Sequence, residues 1–136
     1  MLYLGNKDFR HFEIMNFTHA TFQKYFESEL LFIGNKYSNE PGSGLFILEY
    51  VYLPQKFTIK FDHEKLLFTI KISDSDGGFT FLNKIDDDNN TKGIPNILEK
   101  TNIEDAIKHL YDVIKNQKII FYVVTRKGLR VKTTKQ

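Results

Sequence analysis

Carboxylate side chains are the groups in this sequence with the clearest capacity for chemistry, and they concentrate in three short stretches. Asp62 and Glu64 flank a histidine, Asp74 and Asp76 flank a serine, and the run Asp86–Asp88 is followed by two asparagines. Grouped carboxylates attract divalent cations and basic protein surfaces. A calcium-binding EF-hand loop spaces its ligands at alternate positions and closes with a glutamate, and none of the three stretches has that pattern. The sequence therefore predicts no dedicated metal site.

The order of the surrounding strands decides which of these acidic stretches can lie together. The predicted strand at 79–85 separates Asp74 and Asp76 from residues 86–88 by ~20 Å. Alternate turns of a meander lie at the same end of the sheet, however, which places the predicted turn at 62–64 beside residues 86–88. We therefore expect an acidic edge that contacts a basic surface on a protein partner and consists of Asp62, His63, Glu64, Asp86, Asp87 and Asp88. Two solvated turns without a common role are the simpler interpretation.

Residues that act as nucleophiles or zinc ligands in other proteins follow no established pattern here. The 136-residue chain has no cysteine, which excludes disulfides, thiolate metal sites and cysteine nucleophiles. Its four histidines form no HExxH pair, and its glycines form neither a G-x-S-x-G elbow nor a phosphate-binding loop. We expect no catalytic residue, no metal and no cofactor, and a small enzyme with an unrecognised site is kept as a second alternative.

Charge is distributed unevenly along the chain. Residues 62–105 contain five basic and ten acidic side chains and residues 106–136 contain eight basic and one acidic, although the whole chain has a net charge of only +2. The C-terminal segment also contains Phe121 and Tyr122, and cations interleaved with aromatic rings are typical of surfaces that bind single-stranded nucleic acid. A nucleic-acid-binding module is therefore the first alternative, with the candidate residues Lys118, Arg126, Lys127, Arg130 and Lys132.

Two segments have the periodicity of amphipathic helices. Over residues 101–116 apolar residues recur every three or four positions, and Thr101 with Glu104 matches a capping box at the helix N-terminus. A second helix is predicted to begin at a Thr18 cap and to end near residue 28 or 29, and the sequence leaves open whether the next stretch, LLFI, is helix or strand. A strand is expected before that helix, around Phe12–Met15.

Runs of β-branched and aromatic residues between polar turns predict the strands, at 45–53, 56–62, 66–73, 79–85, 118–125 and 129–134. The run at 118–125 is apolar on both faces and is predicted to be a central strand, whereas the last run has the charges of an edge strand. The predicted fold class is α+β. In it, residues 1–136 form a single two-layer domain whose mostly antiparallel sheet, a meander plus a C-terminal hairpin, packs against two helices.

These features favour a small non-catalytic binding protein that acts through a protein partner. Its size, its charge asymmetry and its lack of catalytic motifs are similar in style to immunity proteins, antitoxins and phage inhibitors, although no motif identifies one of these classes. Richness in Lys, Asn, Ile and Phe is typical of bacterial or phage genes from AT-rich genomes. No secretion signal or membrane span is found, so we expect a cytoplasmic protein without membrane contact. The run at 45–53 is apolar on both faces, which leaves a homodimer open.

Overall fold

The computed structural model describes residues 2–37, 46–64, 66–82, 95–116 and 119–131, with the backbone alone for residues 2–11 and 37. Within the described residues a long helix and a short 3-10 turn come first, followed by five strands, a second helix and a hairpin. The elements in order are α1 (Leu2–Phe26), the 3-10 turn (Glu27–Glu29), β1 (Leu30–Tyr37), β2 (Phe46–Tyr52), β3 (Phe57–Glu64), β4 (Leu67–Ser73), β5 (Phe79–Phe81), α2 (Lys100–Asn116), β6 (Tyr122–Thr125) and β7 (Gly128–Val131).

All seven strands belong to one antiparallel sheet in which each strand pairs with the next along the chain, from β1 at one edge to β7 at the other. Alternate residues of β2, β3 and β4 are buried, so the sheet has one apolar face toward the core and one more polar outer face. This arrangement of one sheet and two helices confirms the predicted α+β fold class.

Aromatic side chains fill the space between α1, α2 and the sheet. The ring of Phe22 on α1 lies 4.5 Å from the ring of Tyr50 and 6.4 Å, edge to face, from that of Phe61. One turn later, the ring of Phe26 meets the ring of Tyr111 on α2 at 5.2 Å. Phe22 is completely buried. These edge-to-face and tilted contacts fix the position of α1 between the sheet and α2.

The predicted strand at Phe12–Met15 is wrong, and so is the predicted cap at Thr18, because α1 runs through both positions without a break. Thr18 is fully buried and donates its hydroxyl proton to the backbone carbonyl oxygen of Ile14 at 2.7 Å. Thr21 does the same with Phe17 at 2.8 Å. A threonine whose hydroxyl bonds the carbonyl four residues earlier is satisfied inside a helix, so a polar residue in the sequence pattern did not mark a helix end here.

The end of α1 agrees with the sequence more closely. The helix gives way to a 3-10 turn at Glu27, and residues 30–33 begin β1, so LLFI is a strand, the alternative that the sequence left open. The register of β1 against β2 shifts between Phe32 and Gly34, which leaves Ile33 as a bulge.

Helix α2 occupies almost the predicted range but begins differently. It begins at Lys100, and the first helical hydrogen bond runs from the Ile103 amide to the carbonyl oxygen of Glu99, so Glu99 holds the cap position expected for Thr101. The Asn102 amide group donates to the carbonyl oxygen of Ile97 at 3.1 Å and supports the first turn. The predicted capping box is therefore wrong, and Glu104 is free to bond α1 instead.

The strand predicted at 118–125 lies inside the sheet as expected, between β5 and β7, but it is shorter and more exposed than the sequence indicated. Strand β6 begins at Tyr122, and its ladder to β5 consists of one residue pair, Phe79 with Tyr122. Its further residues pair only with β7, and the Val124 side chain is 74% exposed. The predicted edge position of the last strand is confirmed, since β7 ends the sheet with every residue exposed.

Candidate functional site

The first half of the predicted acidic edge lies in a strand. Residues 62–64 end β3, so the predicted turn there is wrong. The carboxylate of Asp62 accepts a hydrogen bond from the Thr69 hydroxyl at 2.5 Å and lies 3.7 Å from the Lys60 ammonium group. These contacts partly neutralise its charge on the outer face of the sheet.

His63 faces the core, in contrast with its predicted place in an exposed edge. Its side chain is 5% exposed, and its Nε2 atom accepts a hydrogen bond from the Phe46 amide at 3.2 Å. The imidazole therefore holds the start of β2 against β3. Glu64 is exposed, and Asp86, Asp87 and Asp88 lie outside the described residues. A contact of Glu64 and these aspartates with a basic partner stays a prediction.

The acidic stretch at 74–76 forms the turn between β4 and β5. The Asp74 carboxylate accepts hydrogen bonds from the amides of Asp76 at 2.9 Å and Gly78 at 2.7 Å. Gly77 has a φ of +91°, a conformation that glycine adopts readily. The aspartate therefore organises a backbone turn. No cluster of three or more potential metal ligands is found within the described ranges.

A cavity of about 850 Å³ lies where β4, β5, the start of α2 and the C-terminal hairpin meet. Its volume is within the range of roughly 300–1,000 Å³ that is usual for small-molecule sites. Apolar side chains predominate in its walls, with two threonines, one asparagine and one arginine among them. The lining residues are Phe68, Thr69, Ile70, Phe79, Thr80, Phe81, Leu82, Pro95, Asn96, Ala106, Tyr122, Leu129, Arg130 and Val131.

The cavity lies beside β4, at a place where the sheet is interrupted. The ladder between β4 and β5 covers residues 71–73 only. At the other end of β4, Leu67 forms a bridge with Ile97, and the Phe68 amide donates to the Asn96 carbonyl oxygen at 2.9 Å. Within the described part of the chain, Thr69 and Ile70 have no cross-strand partner on this side, and both line the cavity.

The basic residues predicted to bind nucleic acid do not lie together on the hairpin. Arg126 and Lys127 form its exposed turn, whereas Arg130 pairs with Val123 on β6 and lines the cavity. Residues 118 and 132 lie outside the described ranges. Phe121, half-buried, packs its ring 5.2 Å from that of Phe57 and so belongs to the packed interior.

An apolar surface covers the outer face of the sheet at its β5–β7 end. Cross-strand pairing aligns Phe79, Tyr122 and Val131 in one row and Val124 with Leu129 in the next. We call this surface the hairpin patch, formed by Phe79, Phe81, Tyr122, Val124, Leu129 and Val131. Exposure is 74% at Val124, 61% at Val131 and 55% at Leu129. All of these residues except Val124 also line the cavity, so the two features adjoin.

His19 and Tyr50 form a partly buried pair that sequence reasoning missed. The Nδ1 atom of His19 lies 2.8 Å from the Tyr50 hydroxyl oxygen, and the imidazole packs 4.7 Å from the ring of Phe32. Burial lowers the pKa of His19 and raises the pKa of Tyr50. No spacing in the sequence signals this pair, because its members are 31 positions apart and meet only when α1 packs on β2.

No protein-family model, curated protein or solved structure matches this chain. Within the described residues, no helix combines the length and the apolar character needed to cross a bilayer.

Proposed function

We propose that this chain is a small non-catalytic binding protein whose hairpin patch docks on another protein. The observation that carries the proposal is the exposure of the aliphatic residues Val124, Leu129 and Val131 side by side on one face of a hairpin. Scattered apolar residues are normal on a protein surface, but a contiguous group marks a site of interaction. A cytoplasmic location and a role in the style of an immunity protein, antitoxin or phage inhibitor belong to the same proposal.

The cations around the patch define the chemistry of the partner. Arg126 and Lys127 form the turn next to Val124, and the Lys71 ammonium group lies 5.1 Å from the ring centre of Phe79. A matching surface has an apolar centre and an acidic rim. The acidic rim speeds association through long-range attraction, while the buried apolar contacts slow dissociation.

Nucleic acid fits this surface less well than protein does. Non-specific binding of single strands uses exposed aromatic rings on which the bases stack. The most exposed side chains of the patch are aliphatic, Tyr122 is half-buried, and Phe121 packs against Phe57. A second copy of this chain is also disfavoured, because a twofold axis through the patch would bring two sets of like charges together.

Site-specific crosslinking in the native host tests the proposal. A benzophenone amino acid replaces Val124 in one variant and the exposed Ser75 of the β4–β5 turn in a matched control. We expect one protein to crosslink at position 124 but not at position 75. That protein is then purified, and its affinity is measured by calorimetry against the unmodified chain and against Val124→Asp.

The proposal requires that Val124→Asp weaken binding at least tenfold, about 1.4 kcal/mol, while leaving the thermal unfolding unchanged. It also requires that Arg126→Glu with Lys127→Glu slow association about tenfold at low salt. Crosslinks at position 124 only to nucleic acid, only to a second copy of the chain, or to the same proteins as position 75 would each refute it. So would an affinity that Val124→Asp leaves intact.

A further inference from the structure

The cavity beside β4 has a buried apolar floor. Ala106 and Ile70 are at most 1% exposed, and Phe68 and Leu82 are at most 8% exposed. Thr80, the one polar side chain among these deeply buried lining residues, is 1% exposed. An apolar ligand group placed beside this floor leaves water, which is favourable by roughly 25 cal/mol for each Å² of the ligand's own apolar surface that is removed from water.

Arg130 provides a cation at the rim of the cavity. Arg130 is exposed and is the single charged residue among the described lining residues. Strand alternation puts it on the opposite face of β7 from Leu129 and Val131, which is the face toward the helices. The guanidinium group is thus on the same side of the sheet as the floor.

The Arg130 guanidinium is also available for an anion. The ion pairs of the described residues involve Lys24, Lys60, Lys100 and Lys115, and none of them includes Arg130. An arginine offers two parallel N–H donors that match a carboxylate or a phosphate. The Asn96 amide lies at the same rim and is exposed.

We propose that this cavity binds a small amphipathic anion, whose apolar body lies on the floor around Ala106 and Ile70 and whose head group pairs with Arg130. A medium-chain fatty carboxylate and a monoalkyl phosphate share this chemistry. The cavity shares five lining residues with the hairpin patch, but ligand binding and protein docking can be tested apart, because Ala106 and Arg130 belong only to the cavity and Val124 belongs only to the patch.

Displacement of a fluorescent carboxylate, 11-(dansylamino)undecanoic acid, measures occupancy in the full chain. Three competitors are tested against this probe: decanoate, decyl phosphate and decanol. They have alkyl chains of equal length and differ only in the head group. We expect the anions to displace the probe at least tenfold more effectively than decanol, and the better of the two anions identifies the head group. Failure of the probe to bind, or equal displacement by decanoate and decanol, would overturn the proposal.

Two arginines of the same hairpin supply the matched variants. Arg130→Gln is expected to weaken binding of the preferred anion about tenfold, the size of one charge-assisted hydrogen bond, and to leave decanol unchanged. Arg126→Gln, in the turn and outside the cavity lining, should change binding of neither ligand. An equal loss in Arg130→Gln and Arg126→Gln would show that only general surface charge attracts the anion and would refute the site.

Methyl NMR locates the apolar body without a mutation. The sequence contains two alanines, Ala106 on the cavity floor and Ala20 on the exposed side of α1. In a protein labelled at alanine methyl groups, the preferred anion should shift the Ala106 resonance at saturation and leave the Ala20 resonance in place. An unshifted Ala106 resonance would contradict the proposed floor even if the probe bound elsewhere.

Discussion

The Nδ1 atom of His19 lies 2.8 Å from the hydroxyl oxygen of Tyr50, and this contact joins α1 to the second strand of the sheet. Burial lowers the pKa of the imidazole and raises that of the phenol, so near neutral pH both rings are uncharged and share one hydrogen bond. The ring of Phe32 packs against the same imidazole at 4.7 Å. The pair therefore favours a neutral histidine in the folded state.

The stability of the fold should depend on the protonation of His19. Its folded pKa lies below the ordinary value of 6.5, so its contribution is complete above that pH and is lost as the pH falls through the folded pKa. We expect the free energy of unfolding to decrease on acidification from neutral pH, and His19→Gln to reduce the slope. An NMR titration of the His19 ring gives the midpoint directly, and a value at or above 6.5 would contradict the prediction.

Glu104 should stabilise the packing of the two helices in a pH-dependent manner. Its carboxylate accepts hydrogen bonds from the Lys24 ammonium group at 2.8 Å and the Tyr25 hydroxyl at 3.0 Å, both on α1, and these bonds lower its pKa. A lowered carboxyl pKa contributes stability above the unfolded value, and this contribution disappears as the pH falls through the folded value.

We therefore expect Glu104→Gln to lower the melting temperature slightly at neutral pH and to have no effect in acid, where wild type also carries a neutral side chain. Thermal unfolding monitored by circular dichroism over a pH series measures the difference. Asp105→Asn, at the exposed neighbouring position, is the matched control. A Glu104→Gln effect that persists at low pH would show that shape, not charge, accounts for it.

Phe22 should be the main anchor of α1. Its ring is completely buried among Phe26, Tyr50 and Phe61. Phe22→Ala should lower the free energy of unfolding by about 3–5 kcal/mol, because it removes apolar contact and leaves a cavity. Phe12→Ala, at a side chain that is 48% exposed on the same helix, should lower it by less than about 1 kcal/mol. Urea denaturation measures both, and equal losses would contradict this packing of α1.

The turn between β4 and β5 should depend on an acceptor oxygen at position 74. Asp74→Ala leaves two backbone amides without the acceptor that they use, and should cost about 1–2 kcal/mol. Asp74→Asn keeps a carbonyl oxygen and should recover most of that loss. Ser75→Ala, at the exposed next residue, is the control in the same urea experiment. If Asp74→Asn were as destabilising as Asp74→Ala, the charge and not the turn geometry would be responsible.

The strands of the sheet could be predicted because the alternation of apolar and polar residues that marks a strand lies within a few neighbouring positions of the chain. In β3, Phe57, Ile59 and Phe61 alternate with polar residues, and this alternation alone specifies a strand with one buried face. In α2, the repeat from Ile103 to Ile114 specifies a helix in the same way. The start of α1 was missed because Thr18 and Thr21 interrupt the apolar pattern, and their hydroxyls bond the helix backbone itself.

The candidate sites depended on information that the local pattern does not contain. The acidic stretches were visible in the sequence. What their carboxylates contact depends on where β3 ends and on the backbone conformation of the β4–β5 turn. Arg130 and Lys127 belong to one basic run, yet strand alternation sends Arg130 to the cavity and leaves Lys127 in the turn.

By itself the sequence determined the kinds of most elements, most of their order and the buried face of the strands with alternating residues, such as β3 and β4, since these follow from the spacing of apolar residues along a few turns or a few pleats. Tertiary structure alone decided that His63 is buried, that His19 meets Tyr50 and that a cavity opens beside Ile70. Each of these requires residues distant in the chain to come together. Their proximity is set by register and packing across the whole sheet, which no short window of sequence specifies.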